Sequence, residues 1–272
     1  MMKKLIGYIV FRIILLNSKN LARRYAFFNW LLLGYPVRME KSNNLFVVTD
    51  ESDKINIVRP SRILLYKSSI KKRLIKLGND YHLENVTFAD GDVVVDCGAN
   101  IGEIEMYFKK IQKKNIFYIG IEPDHAEFEA LEANVTLIGK LYNNALWKEV
   151  TELPFFLSNE TGDSTLIEGP HESTKTLVKC LTLDSIIDEL KLEKIKLFKL
   201  EAEGAEPEIL SGCSNENYKK IEYITVDAGY ERGKNAEATL VEVCNFLFKL
   251  GFNLINYNNG RVTILFKNSR FD

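Results

Sequence analysis

The chain has 272 residues, 46% hydrophobic and 27% charged, with a net charge of −1. That composition can bury a full core in one large domain, or in one domain with an appendage. Its four cysteines, Cys97, Cys180, Cys213 and Cys244, lie far apart with neither a CxxC nor a Cys/His spacing. This excludes a cysteine-held metal and a disulfide frame, and reads as reduced cytosolic thiols.

The charge is unevenly spread. Lys3, Lys4, Arg12, Lys19, Arg23, Arg24 and Arg38 meet no acid before Glu40, so residues 1–39 carry +7 and leave −8 for the remainder. Two apolar runs, "LIGYIVFRIILL" and "YAFFNWLLLGY", share this segment. Both are shorter than the roughly 20 residues that span a bilayer. Arg12 and the lack of a small-x-small site argue against a cleaved signal peptide. The reading is a helical N-terminal extension over residues 1–44. Its Lys and Arg side chains and the apolar Phe27, Phe28, Trp30 and Leu31 suit either an anionic membrane surface or a second subunit as a homodimer. The expected location is cytoplasmic, with the inner face of the membrane as its possible docking place.

Residues 45–272 read as the main domain. Within 45–90, "LFVV", "INIV" and "RILLYK" are β-rich runs, and "SSIKKRLIKLGNDY" has helical periodicity. From residue 91 the runs "DVVVDCG", "NIFYIGIEPD", "KLYNNALW", "IKLFKLEAEG" and "IEYITVDAGY" alternate with helix-length segments. This predicts an α/β fold, a mostly parallel sheet covered by helices on both faces. "GFNLINYNNGRVTILFKN" holds two strand-like runs around an Asn-Asn-Gly turn and predicts a closing antiparallel hairpin.

In such a sheet, ligands sit beyond the carboxyl ends of the strands. The first turn runs Asp96-Cys97-Gly98-Ala99-Asn100-Ile101-Gly102. Its Gly-x-x-x-Gly lacks the third glycine of the dinucleotide fingerprint, and no Gly-Lys-Ser/Thr of a P-loop follows. A ligand without phosphates fits better. S-adenosylmethionine, with an ammonium, a sulfonium and a ribose diol, suits a site of carboxylates and bare backbone. Asp96, Gly98, Ala99, Asn100 and Gly102 form the first part of that site. Glu122, followed by Pro123, ends the next strand and has two acceptor oxygens for ribose hydroxyls. Asn144, Ala145 and Leu146 end the third and offer an amide and an apolar wall.

Several of these stretches carry a family likeness. "SRILLYKSSIKKRLIKL", "GDVVVDCGANIGE", "IGIEPD", "NNALWKE", "TLDSII" and above all "KLFKLEAEGAEPEILSG" resemble the FkbM family of S-adenosylmethionine-dependent methyltransferases across roughly residues 60–230. The resemblance implies a Rossmann-like class I methyltransferase fold and O-methylation of sugars and other hydroxylated metabolites. Glu201 stands where the family usually has Asp, and Asp227 where it often has Glu.

A hydroxyl acceptor benefits from a base that removes its proton as the new bond forms. Glu201, Glu203 and Asp227 at the mouth of the sheet are the candidate catalytic acids. Strand alternation puts Lys199, Glu201 and Glu203 on one side, so Lys199 can pair with an acid or touch substrate, or the three can form a structural network. Glu206 and Glu208 suit the first turn of a helix. His82 and His125 read as surface or packing residues. His171 lies in the polar, turn-rich stretch 158–175, where it can reach substrate if the stretch acts as a lid.

The expected activity is therefore O-methylation of a saccharide, glycan or glycolipid precursor. One alternative is a non-catalytic binding or scaffold protein on the same fold. The other is a nucleic-acid methyltransferase, although no Asn-Pro-Pro-Tyr-type motif or basic stripe supports a nucleic-acid partner.

Overall fold

The computed structural model describes residues 38–51, 53–136, 138–157, 164–168 and 174–272. The expected N-terminal helices in residues 1–37, and His171, lie outside the described residues. The described chain divides into two compact units, one ending at Ile75 and one running from Lys76 to Asp272.

The first unit is a β meander followed by helical turns. β1 (Arg38–Ser42), β2 (Leu45–Thr49) and β3 (Lys54–Ile57) form an antiparallel sheet. The expected domain boundary at residue 44 thus falls inside a hairpin. Asn43, with φ 53°, supplies its left-handed turn residue. The strand expected at "RILLYK" is instead part of a 3₁₀ helix over Pro60–Tyr66. Pro60 overrides the β-rich composition because its fixed φ suits the first helical position and its missing N–H costs nothing there. The helix α1 (Ile70–Asp80) follows at the division between the units, and Asp50 Oδ2 accepts a 2.7 Å hydrogen bond from the Ile70 N–H at its start.

The second unit is built on seven strands. These are β4 (Val93–Cys97), β5 (Phe117–Ile121), β6 (Gly139–Tyr142), β10 (Ile195–Leu200), β11 (Ile221–Asp227), β14 (Phe252–Asn258) and β15 (Thr263–Asn268). Their order across the sheet is β14-β15-β11-β10-β4-β5-β6. β11, β10, β4, β5 and β6 pair in parallel, while β15 runs antiparallel between β11 and β14. This is a Rossmann-like arrangement, a parallel sheet closed by the expected antiparallel hairpin.

Between β6 and β10 lies a smaller sheet of β7 (Ala145–Leu146), β8 (Thr151–Leu157) and β9 (Thr174–Leu181). The run "KLYNNALW" is therefore split between two sheets at Asn143 and Asn144. Two short strands, β12 (Tyr230–Arg232) and β13 (Glu237–Ala238), form a ribbon after β11.

Helices α2 (Glu103–Tyr107), α3 (His125–Asn134), α4 (Leu183–Glu189), α5 (Glu206–Ser211), α6 (Asn215–Tyr218) and α7 (Leu240–Lys249) complete the unit. Residues of one parity, Val95, Cys97, Phe198, Leu200, Ile224 and Val226, join Ile186 and Ile187 of α4, Leu210 of α5 and Val243 and Leu247 of α7 in one apolar core. The opposite parity faces the end of α1, where the Thr225 hydroxyl donates to Tyr81 O at 3.0 Å. His82 is a packing residue, with its Nε2 3.1 Å from Thr263 O.

Gly139 fixes the edge of this sheet. It pairs with Tyr118, and a Cβ added there would overlap the Tyr118 carbonyl oxygen. Gly139→Ala should therefore cost about 1–3 kcal/mol and loosen β6. Urea denaturation giving the wild-type midpoint would contradict this packing.

Candidate functional site

The tips of β4, β10, β11 and β15 meet around one buried cation. Lys199 lies beside Asp96 in the β10–β4 register, and its side chain is 2% exposed. Its Nζ sits 3.0 Å from Asp96 Oδ1 and 3.0 Å from Glu201 Oε2, and it donates to Gly98 O at 2.7 Å and Cys97 O at 3.1 Å. Burial pulls the Lys199 pKa down, but the two carboxylates outweigh it and raise it above the ordinary lysine value. Tyr118 donates to Asp96 Oδ2 at 2.6 Å. Asp96 and Lys199, expected to face cofactor and substrate, are thus placed inside the sheet and bonded to each other.

The network extends outward through Arg261, which the sequence did not single out. Its Nε donates to Asp227 Oδ2 at 2.7 Å, and its Nη2 to Tyr81 Oη at 3.0 Å and to Glu201 Oε1. Burial pushes the Glu201 pKa up, but Lys199 and Arg261 more than offset this and hold it down at about 2. Asp227 also accepts from Gly229 N at 3.3 Å, and burial followed by repulsion from Glu201 raises its pKa.

Glu203 departs from the expected alternation. β10 ends at Leu200, and Glu203 sits at φ 50° in a turn ahead of Gly204. Glu206 shapes that turn: its Oε1 accepts from Ala202 N at 3.0 Å and Gly204 N at 3.1 Å, and its Oε2 from the Thr239 hydroxyl at 3.0 Å. Glu206 and Glu208 do open α5, as the helix-dipole argument expected, and Glu208 pairs with Arg232 at 2.6 Å. The Thr165 hydroxyl donates to Glu203 O at 2.9 Å, so the described part of the polar stretch lies against this turn.

One strand over, Glu122 ends β5. Its Oε2 accepts from Asn100 N at 2.9 Å and its Oε1 from Asp124 N at 2.8 Å. Burial raises its pKa to about 7, against the pull of those two N–H groups. Gly98 and Gly102 have φ of 72° and 87°. A Cβ on Gly98 would strike Glu201 O, and one on Gly102 would lie 3.0 Å from Leu131 Cδ1 and Val135 Cγ2. Both glycines therefore answer to backbone conformation and close packing. Ala99 is 4% exposed, and Asn100 carries a buried Oδ1 without a hydrogen-bond partner among the described residues.

At the third tip, Asn144 Nδ2 donates to Lys179 O at 3.2 Å, and Ala145 and Leu146 are buried in β7. Asn143, overlooked in the sequence, supports the β5 tip instead: its Nδ2 donates to Glu122 O at 2.9 Å and to Pro123 O at 3.3 Å. His125, at the start of α3, lies 3.1 Å from Asn143 Oδ1.

The FkbM methyltransferase domain matches residues 96–254, more than half of the chain and the tips of β4, β5, β10 and β11, while Arg261 and the start of β15 lie beyond it. The chain belongs to this family. It is an S-adenosylmethionine-dependent methyltransferase. Methyltransferase 1 of Beauveria bassiana (strain ARSEF 2860) is 26% identical to this FkbM-family enzyme over 184 residues, 58% of the present chain and 74% of the fungal one. Among solved structures, a SAM-dependent methyltransferase from Aquifex aeolicus has 12% identity and a TM-score of 0.39, covering 76% of this chain and 91% of its own. The N-terminal domain of human METTL16 in complex with SAH has 13% identity and a TM-score of 0.38, covering 92% and 84%.

The residues present fit the cofactor chemically. The orphaned Asn100 Oδ1 suits a donor such as its ammonium, and Glu122 has lone pairs left for ribose hydroxyls. Among the described residues, no helix of this FkbM-family enzyme is long and apolar enough to cross a membrane.

The buried cation generates a test. Lys199→Met leaves Asp96 without its cation and should cost about 3–5 kcal/mol. The double variant Asp96→Asn/Lys199→Met should recover part of that loss in urea denaturation. Additive losses would contradict a direct pair.

Proposed function

We propose that this methyltransferase transfers its methyl group to a hydroxyl of a neutral saccharide, glycan or glycolipid precursor. The carrying observation is the charge at the β10–β11 mouth. Glu201, Asp227 and Glu206 are buried or half-buried there, while the cations Lys199 and Arg261 are already ion-paired. The acids there outnumber the two cations they hold, and such a surface repels a phosphorylated substrate while admitting a neutral one.

When bound, S-adenosylmethionine supplies an electrophilic methyl on a sulfonium, and the chain's task is to hold the acceptor oxygen in line with it. In this reading the turn from Gly98 to Gly102 takes the methionine part through backbone and the Asn100 amide oxygen, and Glu122 takes the ribose. Asn143 keeps the Glu122 backbone in place. Lys199 ties Gly98 O to Glu201, so the cofactor turn and the acceptor mouth share one anchor. Glu201 and Asp227 hold Arg261 and shape the mouth. The stretch 164–168, bonded through Thr165, borders the acceptor.

Incubation with cofactor and a panel of neutral and phosphorylated sugars, read by mass spectrometry, tests the acceptor class. Methylation of a neutral sugar hydroxyl is the expected result; methylation confined to phosphorylated sugars or to nucleic acid would overturn it.

Glu122 gives a second readout. A ribose diol is held by the ionised carboxylate, and the free carboxyl has its pKa raised to about 7. Affinity for S-adenosylhomocysteine should therefore rise as pH climbs through that value and then level off. Glu122→Ala should weaken binding about tenfold or more and flatten the profile. Unchanged affinity by calorimetry would remove the ribose assignment.

A further inference from the structure

Three carboxyls line the mouth at the ends of β10 and β11, and their surroundings differ. Glu201 is bonded by Lys199, Arg261 and the Tyr81 hydroxyl, so its lone pairs face cations and its basicity is low. Asp227 is buried against Arg261 Nε and Gly229 N. The third, Glu231 on β12, is half-buried and accepts no hydrogen bond from any described residue. A Cβ placed on Gly229 would lie 3.2 Å from Asp227 Oδ1 and 3.6 Å from Glu231 Oε1, so these two carboxyls flank one bare glycine. The same ribbon is tied to the rest of the mouth, since Arg232 on β12 pairs with Glu208 and Lys234 lies 3.5 Å from Glu168 in the polar stretch.

We propose that Glu231 is the carboxylate that takes the acceptor's proton during methyl transfer. This rests on the hydroxyl-methylation reading above. The acceptor's O–H bond breaks and its proton passes to Glu231. The oxygen lone pair forms the bond to the methyl carbon, and the carbon–sulfur bond breaks with its electron pair returning to sulfur. A methyl ether, neutral S-adenosylhomocysteine and a protonated Glu231 remain, and Glu231 then returns its proton to water.

The surroundings account for why this carboxyl and not its neighbours is basic enough. Asp227 from β11, Glu201 after β10 and Glu206 from α5 repel a charge on Glu231, and Arg261 from the β14–β15 turn opposes them. Burial first and Asp227 next raise its pKa to about 8. A general base works best when its pKa lies near the working pH. The cost is that free Glu231 is largely protonated at neutral pH. A sulfonium brought beside it favours the ionised form, so the cationic cofactor itself prepares the base.

That linkage can be measured without an acceptor. Calorimetry in two buffers of different ionisation enthalpy, just below the Glu231 pKa of about 8, counts the protons released when S-adenosylmethionine or neutral S-adenosylhomocysteine binds the full chain. Glu122 and its ribose partner are common to both ligands and drop out of the difference. Each ligand's own amino group titrates alike against wild type and variant. The expected result is a larger release for S-adenosylmethionine from wild type. That excess should be absent in Glu231→Gln, whose unchanged S-adenosylhomocysteine affinity certifies its fold, with Glu231→Ala as the second variant if that affinity is lost. If both ligands bind but the excess is missing, or persists in the variants, the proposal falls while the methyltransferase reading stands. If neither ligand binds, the cofactor reading fails and takes the proposal with it. On any sugar the panel yields, Glu231→Gln should lower kcat by about 10²- to 10⁴-fold.

Discussion

A lysine ammonium placed almost out of contact with water is stable only if fixed negative groups replace its hydration. Lys199 meets that condition through Asp96, Glu201 and the carbonyls of Cys97 and Gly98. These partners come from two stretches of chain, Asp96 to Gly98 and Glu201. β4 must bring Asp96 level with Lys199, its last residue and the turn after it must each present a carbonyl, and the chain leaving β10 must bend back so that Glu201 arrives on the open side. The strand register, the left-handed Gly98 and the close approach of Gly98 to Glu201 O follow from this one requirement.

The same cation divides the site in two. On its β4–β5 side are Asn100 and Glu122, a backbone turn with few charges. On its β11–β15 side is an acidic cluster held in shape by Arg261. Removing the charge would loosen both sides at once, because Gly98 and Glu201 are bound to the same nitrogen. In the proposed reading this couples the cofactor turn to the acceptor mouth, which suits a reaction whose rate depends on alignment.

Much of this was legible in the sequence. Five buried apolar runs separated by helix-length segments gave the parallel sheet, and Asp96, Glu122 and Glu201 fell at its strand ends. Less legible were side-chain directions where regular structure stops. Alternation extrapolated past Leu200 carried Glu203 along with Glu201, but the left-handed turn at Glu203 breaks the period. The two glycines of the first turn looked like room for a ligand, whereas the space beside them is filled by Glu201 O, Leu131 and Val135. Arg261 and Glu231 carried no local signal at all: one follows the Asn-Asn-Gly turn and the other sits in a short ribbon, and only the topology that inserts β15 beside β11 brings Arg261 to Asp227. Pro60 was the one signal present and outweighed, by the β-rich residues after it.

The central claim is that cofactor and acceptor meet across Lys199, with the cofactor on the β4–β5 tips. A crystal structure of the full chain with S-adenosylhomocysteine tests it most directly. The account predicts the ribose on Glu122, the amino group at Asn100, and the sulfur directed toward the mouth bounded by Glu201, Asp227 and Glu231. A ligand bound away from the Gly98–Gly102 turn, or one that displaces Lys199 from Asp96 to reach that carboxylate, would contradict it.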